Sequence, residues 1–286
     1  MIEKKRALSR IIFLFLILGV FLISYVSAGD VAYIYNRNFN IDNNIKALLN
    51  GLNLSVDLIQ ENKIASTNFS KYKFIFVGDE RFTTPKNIPI GKYPTVVANY
   101  YHGYDWGLTD NDGISKLGRT DPMSVKLNNS IIVQVYNQGV FDSSSVAIPY
   151  YYLGKNNKAQ EMNQIVGTYS GNGYDLGDVI SYANKGTRLV NGKTTLGNTC
   201  FFGIVESDYW TQDAKDMFLN CLTFVGSVCL KDSDCPADSE SAEYCTGNGI
   251  YKNSTDYSCV NKGTLQSRCA ATVTVNKIKD CAVGCS

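Results

Sequence analysis

TCFFGIVESDYWTQDAKDMFLNCLTFV, residues 199–225, is the stretch on which the reading of the fold turns. Cys200 to Val205 is an apolar run short enough for a strand buried on both faces. Glu206-Ser207-Asp208-Tyr209-Trp210 is a polar, aromatic turn. Thr211 then suits a helix N-cap, with Asp213 in the first turn. Ala214, Met217, Phe218, Cys221, Leu222 and Val225 recur at helical spacing and define one apolar face. The segment therefore reads as a closing strand–loop–helix unit. A helix running back along its strand returns Cys221 towards Cys200, so a Cys200–Cys221 bridge is expected.

Upstream, residues 30–36 (DVAYIYN) read as a buried strand. Asn40 or Asp42 caps a helix carrying Ile41, Ile45, Leu48, Leu49 and Leu52. Residues 54–60 alternate like a second strand, 74–77 form a third and 95–100 a fourth. Further strands are expected at 131–136, 146–153, 165–169, 178–183 and 188–190, with Pro149 at an edge or bulge. The early strand–helix–strand–turn–strand order predicts an α/β fold. Its centre is an open, mostly parallel sheet with helices on both faces.

Three stretches resemble the class I glutamine amidotransferase-like superfamily, and within it the ThuA-like proteins. Asn68 to Gly78 resembles that group's third strand. Gly186 followed by Cys200-Phe201-Phe202-Gly203 resembles its final strand, and Trp210 to Phe224 its closing helix. The resemblance implies a flavodoxin-like fold over residues 29–226. Its chemistry does not transfer. That reaction needs a cysteine nucleophile, a histidine base and an orienting acid. No cysteine lies between the third and fourth strands, and the single histidine, His102, sits on another loop from Cys200 and Cys221. Where ThuA-like strands carry Gly-His, this chain has Gly203-Ile204.

Residues 1–28 read as a signal peptide. Lys4, Lys5 and Arg6 precede a charge-free stretch from Ile11 to Val26, and Val26-Ser27-Ala28 is a small-residue cleavage signal. The stretch is short for a span of about 20 residues, and retention as an anchor is the alternative. The whole chain carries net charge +1. Residues 1–28 hold four positive residues and one negative, which leaves the exported part at −2. No basic block survives to serve a nucleic acid.

Seven of the nine cysteines lie beyond Gly226: Cys229, Cys235, Cys245, Cys259, Cys269, Cys281 and Cys285. The spacing lacks Cys-x2-Cys and the segment has no histidine, so it reads as a disulfide-stapled module over 227–286 rather than a zinc site. With Cys200 and Cys221 paired, three tail bridges and one odd thiol are expected, the last open to a disulfide-linked oligomer. Sequons at Asn53, Asn68, Asn128 and Asn253 mark glycan acceptors. No Gly-rich phosphate loop follows the first strand, and no cofactor or metal is expected. Asp110-Asn111-Asp112-Gly113 reads as a turn, because Arg119 stands where a calcium loop needs its bidentate glutamate.

In a parallel sheet, ligands sit beyond the carboxyl ends of the strands. Those ends carry Asn36 and Arg37, Asp79, Glu80 and Arg81, His102, Asp105 and Trp106, and Glu206, Asp208, Tyr209 and Trp210. Asp79, Glu80, Trp106, Tyr209 and Trp210 are the expected ligand contacts, since aromatic faces beside carboxylates suit a sugar. His102, Asp105, Glu206 and Asp208 are the candidate catalytic groups. The reading favoured is a secreted or cell-surface, non-catalytic protein that binds a glycan or another surface component. A carbohydrate hydrolase and a structural envelope protein are the alternatives.

Overall fold

In a computed structural model the described residues are 29–110, 118–120, 123–127, 130–227, 229, 231–246, 249–265 and 267–280. The expected signal peptide, the Asn128 sequon, Asn111 to Gly113, Cys281 and Cys285 lie outside them.

Strands β1 (Val31–Tyr35), β2 (Val56–Gln60), β3 (Phe74–Val77) and β4 (Thr95–Val97) come from the first third of the chain. They are followed by β5 (Gly118–Thr120), β6 (Ser124–Leu127), β7 (Ile132–Gln134), β8 (Tyr150–Gly154), β9 (Asn163–Tyr169), β10 (Asp175–Ala183) and β11 (Thr199–Phe202). All join one sheet of order β2-β1-β3-β4-β11-β10-β9-β6-β7, with β8 on β10 and β5 on β8. The first five strands of that order run parallel. From β10 onward every pairing is antiparallel.

The flavodoxin-like, mostly parallel α/β expectation is thereby corrected. The described residues form two α-helices, α1 (Asn43–Gly51) and α2 (Gln212–Gly226), alongside a mixed, predominantly β architecture. Both helices pack on one face. Ile45, Leu49, Phe218 and Leu222 share a core there with Tyr33, Phe76, Phe202 and Val135. The opposite face is covered by loops and short 3-10 turns through Ile64, Phe69, Phe82, Trp106 and Leu189. The connections explain this. The link from β2 to β3 holds only two 3-10 turns, and the link from β3 to β4 holds one, Pro85–Asn87, which Pro89 keeps from continuing as a helix. The connection from β4 to β11 is built from hairpins. Antiparallel strands need only tight turns, so no crossover helix is required.

Local details follow the residue chemistry. Asp42 caps α1, its Oδ1 accepting the Ile45 amide at 2.9 Å. Thr211 caps α2, its Oγ1 accepting the Ala214 amide at 3.2 Å. Pro149 stands just before β8, and the strand expected at 146–153 begins only at Tyr150. Residues 188–190 make a single bridge, Arg188 to Thr194, rather than a strand.

Cys200 on β11 is bonded to Cys221 on α2, with Cα atoms 5.9 Å apart, as the closing unit leads one to expect. After α2 the chain builds a second sheet from β12 (Ser239–Glu240), β13 (Tyr244–Thr246), β14 (Gly249–Val260) and β15 (Arg268–Asp280). Cys229–Cys259 and Cys235–Cys269 staple it. Cys245 is free and exposed. Leu265 packs into the main core, which ties this sheet to the first. These disulfides fit an oxidising, non-cytoplasmic compartment. Among the described residues no helix is long and apolar enough to cross a membrane.

Candidate functional site

The carboxyl ends of β1, β3, β4 and β11 converge on the N-terminus of α1. Between them lies a cavity of about 410 Å³. Its floor is Tyr33, Phe76, Gly78 and Ala98, and its walls carry Asp42, Asp79, Glu206 and Asp208. Asn40, Asn43 and Asn44 add amides, and Phe39, 78% exposed, stands at the rim. The volume falls within the range of small-molecule sites. A larger groove of about 750 Å³ runs between α1 and α2 and shares Asn44 and Asp208 with the cavity. Leu48, Leu52, Phe218, Leu219 and Leu222 line much of it. Convergent polar groups distinguish the smaller cavity.

Short-range bonding holds these loops. Buried Asn99, just past β4, donates its amide to the carbonyls of Gly78 and Glu80, both at 2.7 Å. This fixes the turn that carries Asp79. Glu80 is buried, and its Oε2 accepts the Arg37 amide at 3.2 Å and Asn40 Nδ2 at 2.9 Å. Glu80 thus anchors the loop after β1 rather than facing the cavity. Ser207 donates to Asp42 Oδ2 at 2.6 Å, and Asn44 Nδ2 donates to Asp208 Oδ1, so the turn after β11 is docked on α1. Gly203 allows that turn to pass beneath β8. A Cβ there would lie 2.0 Å from the Tyr151 carbonyl.

Asp79 is the electrostatic centre of the site. Burial and then the nearby negative charge of Glu206 raise its carboxyl well above the ordinary aspartate range, against an opposing hydrogen bond from the Tyr100 amide. Its Oδ1 is sealed from solvent and has no hydrogen-bond partner. Burial raises the Tyr33 and Tyr136 hydroxyls as well, so both stay protonated beside these acids. The Tyr33 hydroxyl accepts the Asp42 amide at 3.0 Å, and that of Tyr136 donates to the Pro149 carbonyl at 2.9 Å.

The remaining expected site residues are placed elsewhere or turned inward. His102 Nε2 accepts the Phe82 amide at 2.9 Å, so its proton sits on Nδ1 and is donated to Asp105 Oδ2 at 3.0 Å. Both ring nitrogens are occupied in bracing loops, and neither His102 nor Asp105 lines the cavity with Glu206 and Asp208. Trp106 is buried with Nε1 donating to the Pro85 carbonyl at 2.8 Å. Trp210 is buried against Phe202 and Phe218, with Nε1 donating to the Ile204 carbonyl at 3.0 Å. The segment through Tyr136 bridges Trp210 and helps to cover it. Tyr209 packs edge-on against Phe141. Of the expected ligand contacts and catalytic candidates, Asp79, Glu206 and Asp208 share the cavity.

Sequence reasoning missed Phe39, Asn99 and the cap residue Asp42 as parts of the site. Phe39 carried a signal: a large apolar residue among polar ones, just before a helix cap. No protein-family model matches the sequence, and no curated protein is significantly similar to it.

Proposed function

We propose that this is an exported protein whose acid-lined cavity binds a polyhydroxylated ligand such as a glycan, without transforming it. One observation carries the reading. Four carboxyl side chains and three amides converge on one cavity, and an exposed aromatic ring stands at its mouth. Asp208 and Glu206 accept hydroxyl protons from the ligand, and Asp79 lines the cavity beside them. The Phe39 ring offers its face to sugar C–H groups. The Phe39 ring takes the part that the sequence suggested for the tryptophans. The disulfides and the N-terminal segment support export, and the sequons at Asn53, Asn68 and Asn253 suit a surface glycoprotein.

The test is a glycan array followed by calorimetry on the hits. The expected result is binding that Phe39→Ala weakens at least about tenfold, or 1.4 kcal/mol. The absence of any glycan bound by the parent protein would sink the proposal. Incubating the bound glycans with the protein and finding cleavage products would convert the reading to a hydrolase.

A further inference from the structure

We propose that β15 is a homodimer seam, in which two copies of the chain pair their second sheets edge to edge and antiparallel about Thr274. In that sheet β14 is paired on one side with β12 and β13 and on the other, along its length, with β15. No described strand pairs with the far edge of β15. The strand has 13 residues, longer than any in the main sheet, and ends in a sheet too thin to bury it. Long edges of this kind recruit further strands unless they are blunted by proline or inward charge. The segment from Cys269 to Asn276 has neither; the strand's charges, Arg268, Lys277, Lys279 and Asp280, and its bulge lie at the two ends.

The strand's own sequence names the partner. Only one antiparallel register overlaps all 13 residues. It places Thr274 opposite Thr274 of the second copy, Val273 opposite Val275, and Arg268 opposite Asp280. Val273 and Val275 are 57% and 58% exposed, with Thr255 and Asn253 as their cross-strand neighbours on β14. Pairing gives each valine an apolar partner, twice over because the axis is two-fold. Opposite charges meet at both ends. Lys277 and Lys279 face Ala271 and Cys269, so no like charges oppose one another. A parallel pairing in register would set Arg268 against Arg268. The bulge at Ile278, between the Ile250–Lys279 and Tyr251–Lys277 pairs, falls near the strand end, where the length of an arginine side chain absorbs it. A seam of one strand pair is small, so the dimer is reversible rather than obligate.

Sedimentation velocity of the purified chain from low to high micromolar concentration tests this. The expected result is a monomer–dimer equilibrium. Val273→Lys combined with Val275→Lys sets lysine against lysine at two crossings and raises the dissociation constant at least about tenfold. Val273→Lys combined with Val275→Glu sets opposite charges there and keeps the dimer. Both positions are exposed, so the variants should fold, and circular dichroism confirms it. A monomer at every concentration overturns the proposal. So do two double variants that behave alike, or a dimer that survives SDS without reductant, since that dimer is held by a disulfide.

Discussion

Two aspartates, one within the main sheet and one in the turn just past it, have opposite surroundings. Asp178, on antiparallel β10, is fully inaccessible and saturated. Lys158 Nζ lies 2.9 Å and Ser181 Oγ 2.7 Å from its Oδ2, while Gln164 Nε2 donates to Oδ1 at 2.9 Å. Asp79, beyond parallel β3, has one backbone donor and a sealed oxygen with no partner. A carboxylate deep within an antiparallel sheet is reached by side chains from adjacent strands and turns. A carboxyl group just past the end of a parallel strand, at the edge of the crevice, is reached by fewer of them. The first arrangement is architecture. The second leaves a carboxyl oxygen unpaired, as Glu80 Oε1 also is.

The sharpest way to break that contrast is Asp178→Ala. It leaves the Lys158 ammonium, 10% exposed, without its counter-charge, and is expected to cost about 3–5 kcal/mol in urea unfolding. A loss below about 1 kcal/mol would show that Asp178 is no more structural than a surface acid.

Asp79→Asn should do the reverse. An unfolded aspartate titrates near 3.9. The folded group titrates higher, so the stability its proton contributes is complete below about pH 4 and is lost as pH rises through the folded value. The amide removes that loss. The variant is expected to melt about 2–4 °C higher than the parent at about pH 8, near 1 kcal/mol for a chain of this size, and at the same temperature at about pH 4. A lower melting temperature at pH 8 would mean that Asp79 is held ionised by a favourable partner, as Asp178 is.

The smallest effect on stability belongs to Phe39→Ala. The residue is 78% exposed, and the change should leave the unfolding free energy within about 0.5 kcal/mol of the parent while glycan affinity falls. A larger loss of stability would make Phe39 a packing residue and remove it from the site.

Much of the local structure was legible along the chain. The apolar runs at 31–35 and 74–77 became buried strands, Thr211 caps its helix as expected, and of the two candidates Asn40 and Asp42 it is Asp42 that caps the first. That Asp79, Glu206 and Asp208 lie together at one cavity was legible from strand ends, because carboxyl ends of parallel strands gather at one edge whatever follows them. The tryptophans and His102 were misjudged for a physical reason. An indole is large enough to plug a core, and Trp210 packs on Phe202 and Phe218 while the segment around Tyr136 returns from far along the chain to bridge it. His102 is braced by the Phe82 amide, a partner 20 residues away.

The sequence by itself determined the buried strands of the parallel half, the start of the second helix, the Cys200–Cys221 link and a cysteine-stapled tail. Each depends on periodicity, capping or spacing within a short window. The tertiary structure alone decided that the sheet turns antiparallel at β10, that both helices share one face, and that Asn99 and Glu80 hold the loops while Asp79 is left facing the cavity. Those outcomes depend on which strands meet across long stretches of chain, and on which buried polar atoms find partners when they do.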